Sequence, residues 1–188
     1  MDSWTLTVDI PASDLVRRKG KLVRRSLGIP ALHNLSNAGG KASWTRHAAL
    51  TKLHKARLDA GLLWHSTKRL MTRALGLRLR EGESFDVLLV RRAPKPLDSA
   101  IQHGDWKHGG RTLYGDNAGS ALKAARDWTA KRVFGLTGDS SALLRWHVGQ
   151  EWSGQPKLYQ IKVLILPAED CECCGLPRLP GRWLRREL

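Results

Sequence analysis

Carboxylates and a lysine recur around one predicted helix that spans residues 117–133. Asp116 precedes this helix, Lys123 and Asp127 lie within it, and Asp139 follows it in a loop. At about 100° per residue, the spacing places Asp116, Lys123 and Asp127 on nearly the same side of the helix. Lys123 and Asp127 are also four residues apart, a spacing at which opposite charges pair. We therefore expect Asp127 to support Lys123.

Asp98 adds to this acidic set, and two glycines allow Asp139 to approach it. Asp98 follows just after a predicted strand, and Gly135 and Gly138 allow the chain to reverse before Asp139. We expect these carboxylates to meet where the second strand, the second helix and the third strand join.

Such a cluster suits the hydrolysis of a phosphodiester. Mg²⁺ prefers hard oxygen ligands and takes one or two carboxylates together with water and phosphate. The ion polarises a phosphoryl oxygen and lowers the pKa of a bound water, which then attacks. Lys123 would neutralise the charge that develops on the phosphate, or orient the water.

The alternative interpretation of the same residues is structural. Asp116 then only caps the helix, and Lys123 with Asp127 forms an ordinary surface ion pair. Asp139 belongs in that case to a polar turn.

The charge of the chain favours a polyanionic partner. Its 188 residues include 32 lysines and arginines against 17 aspartates and glutamates, a formal net charge of +15. Self-repulsion opposes folding, so the excess indicates binding, most often to nucleic acid. A merely basic surface, or affinity for an anionic membrane, is the alternative. The residues that we predict to contact DNA are Arg17, Arg18, Lys19, Lys21, Arg24, Arg25, Arg46, Arg91 and Arg92.

Hydrophobic periodicity predicts six main elements. They are a strand at 4–10, a helix at 43–75 that Gly61 kinks or divides, a strand at 84–92, a helix at 117–133, and strands at 143–151 and 158–166. The order β-α-β-α-β-β predicts an α/β (α+β) domain with a small mixed β-sheet of about four strands covered by two helices. The buried stripe of the second helix is predicted to be Ala121, Leu122, Ala125, Thr129 and Val133.

We assign residues 1–166 to this domain, with an inserted loop at 99–115, and residues 167–188 to an irregular tail rich in Pro, Cys and Arg. The first residues lack the pattern of a signal peptide, and no apolar run approaches the ~20 residues of a spanning helix. We therefore expect a soluble protein of a reducing cytoplasm.

The three cysteines, Cys171, Cys173 and Cys174, all lie in the tail. Thiolates bind Zn²⁺, but a structural site needs four ligands. His147 or a partner subunit could supply the fourth, and an incidental tail is the alternative.

Several segments, taken in order, resemble the RusA family of Holliday junction resolvases, especially its phage-borne members. They are RRAPKPLD, DNAGSALKAARDWTAKRVFG, TGD, LRWHVGQE and YQIKVLIL, together with TLTVDIPA, LHNLSN and SWTRHAALTKLHKAR nearer the N-terminus. The likeness covers most of residues 4–166 and excludes the tail.

The resemblance implies a small homodimeric endonuclease, dependent on Mg²⁺ or Mn²⁺, that cleaves four-way DNA junctions in recombination or repair. A phage-encoded member would act in the host cytoplasm. The alternative is a catalytically weakened, structure-selective DNA-binding protein of the same fold. A third interpretation is an unrelated basic nucleic-acid-binding module whose carboxylates are only caps.

The resemblance also assigns roles to individual residues. Asp116 and Asp139 match metal-binding aspartates of the family, and Lys123 matches its catalytic helix lysine. Tyr114 stands where the first aspartate is usual, so Asp98 is the better match if residues 99–115 split the motif. The residues of the inserted loop that could substitute for it are His103, Asp105 and His108.

Overall fold

The first strand follows from the alternation of its residues. In β1 (Trp4–Asp9), Trp4, Leu6 and Val8 are buried and the residues between them are exposed, which is the period of a half-buried strand.

The structure is a computed structural model. It describes residues 3–11, 13–26, 41–63, 66–95, 111–113, 116–170 and 184–185.

Two sheets are present in these ranges. The strands that follow β1 are β2 (Ser13–Arg18), β3 (Lys21–Ser26), β4 (Phe85–Ala93), β5 (Arg111–Leu113), β6 (Leu144–Trp152), β7 (Gln160–Pro167) and β8 (Leu184–Arg185). Six of them form one sheet in the order β1-β7-β4-β6-β5-β8, and β2 pairs with β3 separately. In the larger sheet β4 runs parallel to β6 and antiparallel to β7, so the sheet is mixed.

The helices are α1 (Lys41–Leu63), α2 (Ser66–Arg80) and α3 (Asp116–Trp128), and α3 continues into a π-helical turn at Thr129–Val133. The buried stripe predicted for α3 is confirmed, since all five of its residues are buried. The core lies between these helices and one face of the sheet. None of the helices in the described ranges is long and apolar enough to cross a membrane.

The coarse class, a mixed α+β fold, is confirmed, and several details differ. The predicted helix at 43–75 is two helices. The β2–β3 hairpin was not predicted because its apolar residues stand in two adjacent pairs, Leu15–Val16 and Leu22–Val23, among charged residues and do not alternate. β5 lies in the predicted insertion and β8 in the predicted tail, and strands of three and two residues are too short to give a periodic signal.

Gly61 does not break α1, which continues through it to Leu63. A Cβ atom at Gly61 would lie 2.5 Å from Cγ1 of Val8 and 3.3 Å from Cδ1 of Leu6. The glycine therefore allows α1 to pack closely on β1. The predicted division of the segment is seen, but α1 ends at Leu63 and not at Gly61, where the small residue serves the contact between α1 and β1.

A buried carboxylate lies on the sheet face opposite the helices. Asp86 of β4 is fully buried and sits directly across from Arg145 of β6 in the strand register. Arg145 donates two hydrogen bonds to its carboxylate, at 2.9 and 2.6 Å, and Nε2 of His147 lies 2.6 Å from Oδ1. Arg145 also binds the exposed Asp170 at 2.6 Å.

Two opposing effects set the pKa of Asp86. Burial by itself raises this pKa, but the hydrogen bonds from His147 and Arg145, with the adjacent charge of Arg145, outweigh burial and hold the pKa below its usual value of 3.8. A lowered pKa means that the folded state favours the ionised carboxylate. Its contribution to stability is therefore present above the usual aspartate pKa and is lost as the pH falls through the lowered one.

We predict that Asp86→Asn lowers the free energy of unfolding at pH 7 by about 3 kcal/mol, because it leaves Arg145 and His147 without their buried partner. Asp170→Asn is the matched control. It removes a partner of the same arginine that is 54% exposed, and we expect a loss within about 1 kcal/mol. Urea unfolding from pH 7 to about pH 2 should show wild type and Asp86→Asn converging only below the usual aspartate pKa of 3.8, as the folded carboxyl is protonated. Equal stability at pH 7 would contradict this account.

We also predict that Gly61→Ala destabilises the protein, by a net ~1 kcal/mol. Overpacking against β1 costs about 1–3 kcal/mol, and the better helix propensity of alanine offsets about 1 kcal/mol of it. Gly119→Ala in α3 meets open space and should stabilise by about 0.5 kcal/mol. Thermal unfolding of both variants measures the contrast, and a stabilised Gly61→Ala protein would rule out the close α1–β1 contact.

Candidate functional site

The position of α3 follows from its contacts with the parallel strands β4 and β6. Phe134, just after the π-helical turn, packs on Phe85, the first residue of β4, with ring centroids 5.5 Å apart. The chain of about 18 residues from Asp116 to this point extends roughly 25 Å. Thus α3 runs antiparallel to β4. It begins at Asp116, on the side of the sheet that carries the C-terminal ends of β4 and β6.

Asp139 lies between α3 and β6 and is held by two side chains. Its Oδ2 atom is 2.7 Å from Nε of Arg126, and its carbonyl oxygen accepts a hydrogen bond from Nε1 of Trp146 at 2.9 Å. The guanidinium of Arg126 also lies over the Trp146 ring, 5.2 Å from its centroid. The predicted chain reversal before Asp139 includes Gly135, which has a φ of +71°.

The predicted meeting of all the carboxylates depends partly on side chains that the structure does not describe. Of the predicted set, Asp127 and Asp139 are described, and they are bound to different residues, Lys55 and Arg126. Within the described ranges, no three His, Cys, Asp or Glu side chains are grouped closely enough to hold a metal ion. Asp98 and the side chain of Asp116 lie outside those ranges.

The predicted support of Lys123 by Asp127 is wrong. Oδ2 of Asp127 lies 3.7 Å from Nζ of Lys55 on the neighbouring helix α1. An i,i+4 pair is worth only a few tenths of a kcal/mol, so a lysine presented by the adjacent helix competes readily. Lys123 is exposed, and no carboxylate of the described part of the chain pairs with it.

Several other charges near α3 are engaged. Arg132 lies 3.3 Å from Oδ1 of Asp59 in α1, and the same oxygen accepts a hydrogen bond from Nε1 of Trp128 at 2.9 Å. Arg126 and Asp127 have the partners already described. Lys123 differs from these residues in presenting its ammonium group to solvent, as Lys131 in the π-helical turn also does.

Two of the arginines that we predicted to contact DNA have partners within the protein. Arg91 is only 4% exposed and donates hydrogen bonds to the Lys95 carbonyl at 2.7 Å and to Gln150 at 3.3 Å. A buried guanidinium is not available to a phosphate, so Arg91 instead fixes the chain that leaves β4 toward Asp98. The apolar run before Arg91 was the signal in the sequence that its strand is interior.

Arg92 points to the opposite face from Arg91, as strand alternation requires. Its Nε lies 3.1 Å from Glu151 and its Nη1 2.6 Å from Gln160. Gln160 in turn donates to Asp9 at 2.7 Å. These contacts link β6, β4, β7 and β1 across the sheet, and they give Arg92 a structural role.

Some of the remaining predicted residues are described by the structure and others are not. Lys19 and Lys21 are exposed at the turn of the β2–β3 hairpin. His147 is buried against Asp86, which disfavours it as a fourth zinc ligand. The predicted residues whose side chains lie outside the description are Arg17, Arg18, Arg24, Arg25, Arg46, His103, Asp105, His108, Cys171, Cys173 and Cys174.

The chain matches no protein-family model, no curated protein and no solved structure. The resemblance to RusA resolvases therefore depends on the sequence segments alone.

Sequence reasoning missed two partners in this region, Arg126 and Lys55. Arg126 directly precedes Asp127 in the A-x-R-D segment, but the sequence does not indicate that it reaches Asp139. Lys55 belongs to another helix, and only the packing of α1 beside α3 brings it near Asp127.

A double-mutant cycle tests which lysine Asp127 holds. We predict a coupling energy of about 0.3–1 kcal/mol between Lys55→Met and Asp127→Asn, a range typical of partly exposed pairs. The matched cycle of Lys123→Met with Asp127→Asn should give a coupling near zero. Chemical denaturation supplies the unfolding free energies, and a larger coupling for Lys123 would favour the original prediction.

Proposed function

We propose that this protein is a metal-dependent endonuclease of the RusA type that hydrolyses phosphodiesters in branched DNA. The observation that carries the proposal is α3. This helix begins at Asp116, near the C-terminal ends of the parallel strands β4 and β6. Lys123 lies two turns further along the helix, is exposed, and has no carboxylate partner among the described residues. The net charge of +15 supports a DNA substrate.

Asp116, Asp139 and Asp98 are the residues that would hold Mg²⁺ or Mn²⁺, and carboxylate oxygens are suitable ligands for both ions. When bound, the ion supplies polarisation of the phosphoryl oxygen and a bound water of lowered pKa.

The chain's own residues account for the rest of the proposed mechanism. The backbone N–H groups at the start of α3 favour an anionic phosphate. The ammonium of Lys123 stabilises the charge that develops on it. Arg126 positions the loop that carries Asp139, and Arg91 fixes the segment that leads to Asp98.

The proposal includes a homodimer. A four-way junction has two opposed strands to cut, and two active sites related by a twofold axis fit a substrate of similar symmetry.

The contact between Arg126 and Asp139 favours a second candidate function. A carboxylate bound to a guanidinium at 2.7 Å is less available to a metal ion, and Tyr114 replaces an aspartate usual in the family. The second candidate is a structure-selective DNA-binding protein of the same fold with weakened catalysis.

Cleavage of a labelled synthetic four-way junction with Mg²⁺ or Mn²⁺ tests the proposal. We expect paired nicks from wild type and a loss of about 100-fold or more in rate for Asp116→Asn, Asp139→Asn and Lys123→Met, because each removes electrostatic stabilisation of the transition state. Asp98→Asn tests whether Asp98 is the first metal-binding aspartate, separated from Asp116 by the inserted residues 99–115. Glu81→Gln removes an exposed carboxylate at the end of α2 and should cut as wild type does.

Binding to the same junction without metal is measured in parallel. Variants that bind normally but do not cut support the nuclease. A wild-type protein that binds junctions yet does not cut with either ion supports the second candidate. A wild-type protein that does not prefer junctions over linear duplex contradicts both.

A further inference from the structure

The segment between β1 and α1 is a separate two-stranded hairpin. β2 and β3 pair antiparallel along their whole length, from Ser13 opposite Ser26 to Arg18 opposite Lys21. Neither strand joins the six-stranded sheet. Lys19 and Gly20 form the connection, with φ values of +47° and +77°. Positive φ at both residues is typical of a two-residue type I′ turn, whose twist matches that of the strands.

The charge of the β2–β3 hairpin opposes its own stability. The register places Arg18 directly opposite Lys21, and like charges in that position are destabilising. A two-stranded hairpin alone is also only marginally stable in water. The register also places Asp14 opposite Arg25, which offsets one of the charges. The remaining concentration of positive charge has no explanation in the folding of the hairpin. The six basic residues, set against the single acidic Asp14, are Arg17, Arg18, Lys19, Lys21, Arg24 and Arg25.

Protection of the strand edges is the competing explanation. Neither strand pairs with the larger sheet, and charged residues on such edges prevent pairing with another chain. This role requires charge at the edges, but it does not require the folded turn to persist, and it predicts no particular ligand.

We propose that the β2–β3 hairpin enters the major groove of a duplex arm of the DNA. This inference rests on the proposed function, since it takes branched DNA as the ligand. The major groove is about 12 Å wide and admits a two-stranded ribbon. Six residues of strand extend about 20 Å, more than the groove depth of about 8.5 Å. The exposed Lys19 and Lys21 at the turn therefore reach into the groove while the strands contact the flanking phosphates.

Binding without metal tests this inference independently of cleavage. The probes are a synthetic four-way junction and a linear duplex with the sequence of one arm, in EDTA, over a series of salt concentrations. Protection of guanine N7 from dimethyl sulfate reports occupancy of the major groove, because N7 lies in that groove. Thermal unfolding of each variant confirms that the rest of the protein is folded.

Three variants separate charge from shape. Lys19→Gln with Lys21→Gln removes two charges from the turn. Gly20→Val keeps every charge but places a β-branched residue at a φ of +77°, where such residues are strongly disfavoured. The control is Lys131→Gln with Lys157→Gln, which removes two exposed charges outside the hairpin.

We expect the double variant of the turn to reduce the slope of log K against log salt by about 2, since each lysine charge that neutralises a phosphate charge from within the groove contributes about 0.9. Gly20→Val should weaken binding at least tenfold with the body of the protein still folded. Both variants should lose N7 protection on one arm, and the control should retain it with nearly wild-type affinity.

The inference is overturned if Gly20→Val binds and protects as wild type does, or if the turn variant behaves like the control. Those results, with wild-type cleavage intact, leave the nuclease proposal standing and assign the charge to edge protection. If wild type binds neither probe, both proposals fail together.

Discussion

The packing of α3 across the parallel strands β4 and β6 is the constraint on which the rest of the structure depends. Leu122 and Ala125 are fully buried in the core, and Phe134 closes the far end against Phe85. Since a connection between parallel strands must cross the sheet, the direction of the helix is fixed once its stripe is buried. Both ends of α3 are therefore set, and with them the backbone of Asp116 and the loop of Asp139.

Three arginines help to hold this framework together. Arg91 fixes the chain that leaves β4, Arg92 links strands on the opposite face, and Arg145 binds the buried Asp86. A guanidinium has five donors in a planar arrangement, so one residue can bind several elements at once. Net charge alone therefore overstates how many basic residues of this protein are available to a ligand.

The sequence predicted what depends on local pattern. The alternation of β1 and the stripe of α3 each have a period that indicates the element and its buried side, and the continuous apolar run of β4 indicates an interior strand. Partner choice was not predictable. Asp127 binds Lys55 rather than Lys123 and Asp139 binds Arg126, because those contacts arise only when helices and loops are packed. The β2–β3 hairpin was not predicted for a different reason, since its few apolar residues are adjacent and give no strand period.

The pairing of β1 with β7 has a consequence for how the chain is made. Trp4 lies opposite Ile165 and Asp9 opposite Gln160, so the first strand has no partner in the sheet until the strand near residue 160 exists. β4 also needs β7 along one edge. A ribosome adds about 5–20 residues per second, so about 8–30 seconds separate the synthesis of β1 from that of β7, and about 3–13 seconds separate β4 from β7. The apolar residues of both strands stay incompletely covered in the nascent chain until β7 emerges and completes the sheet.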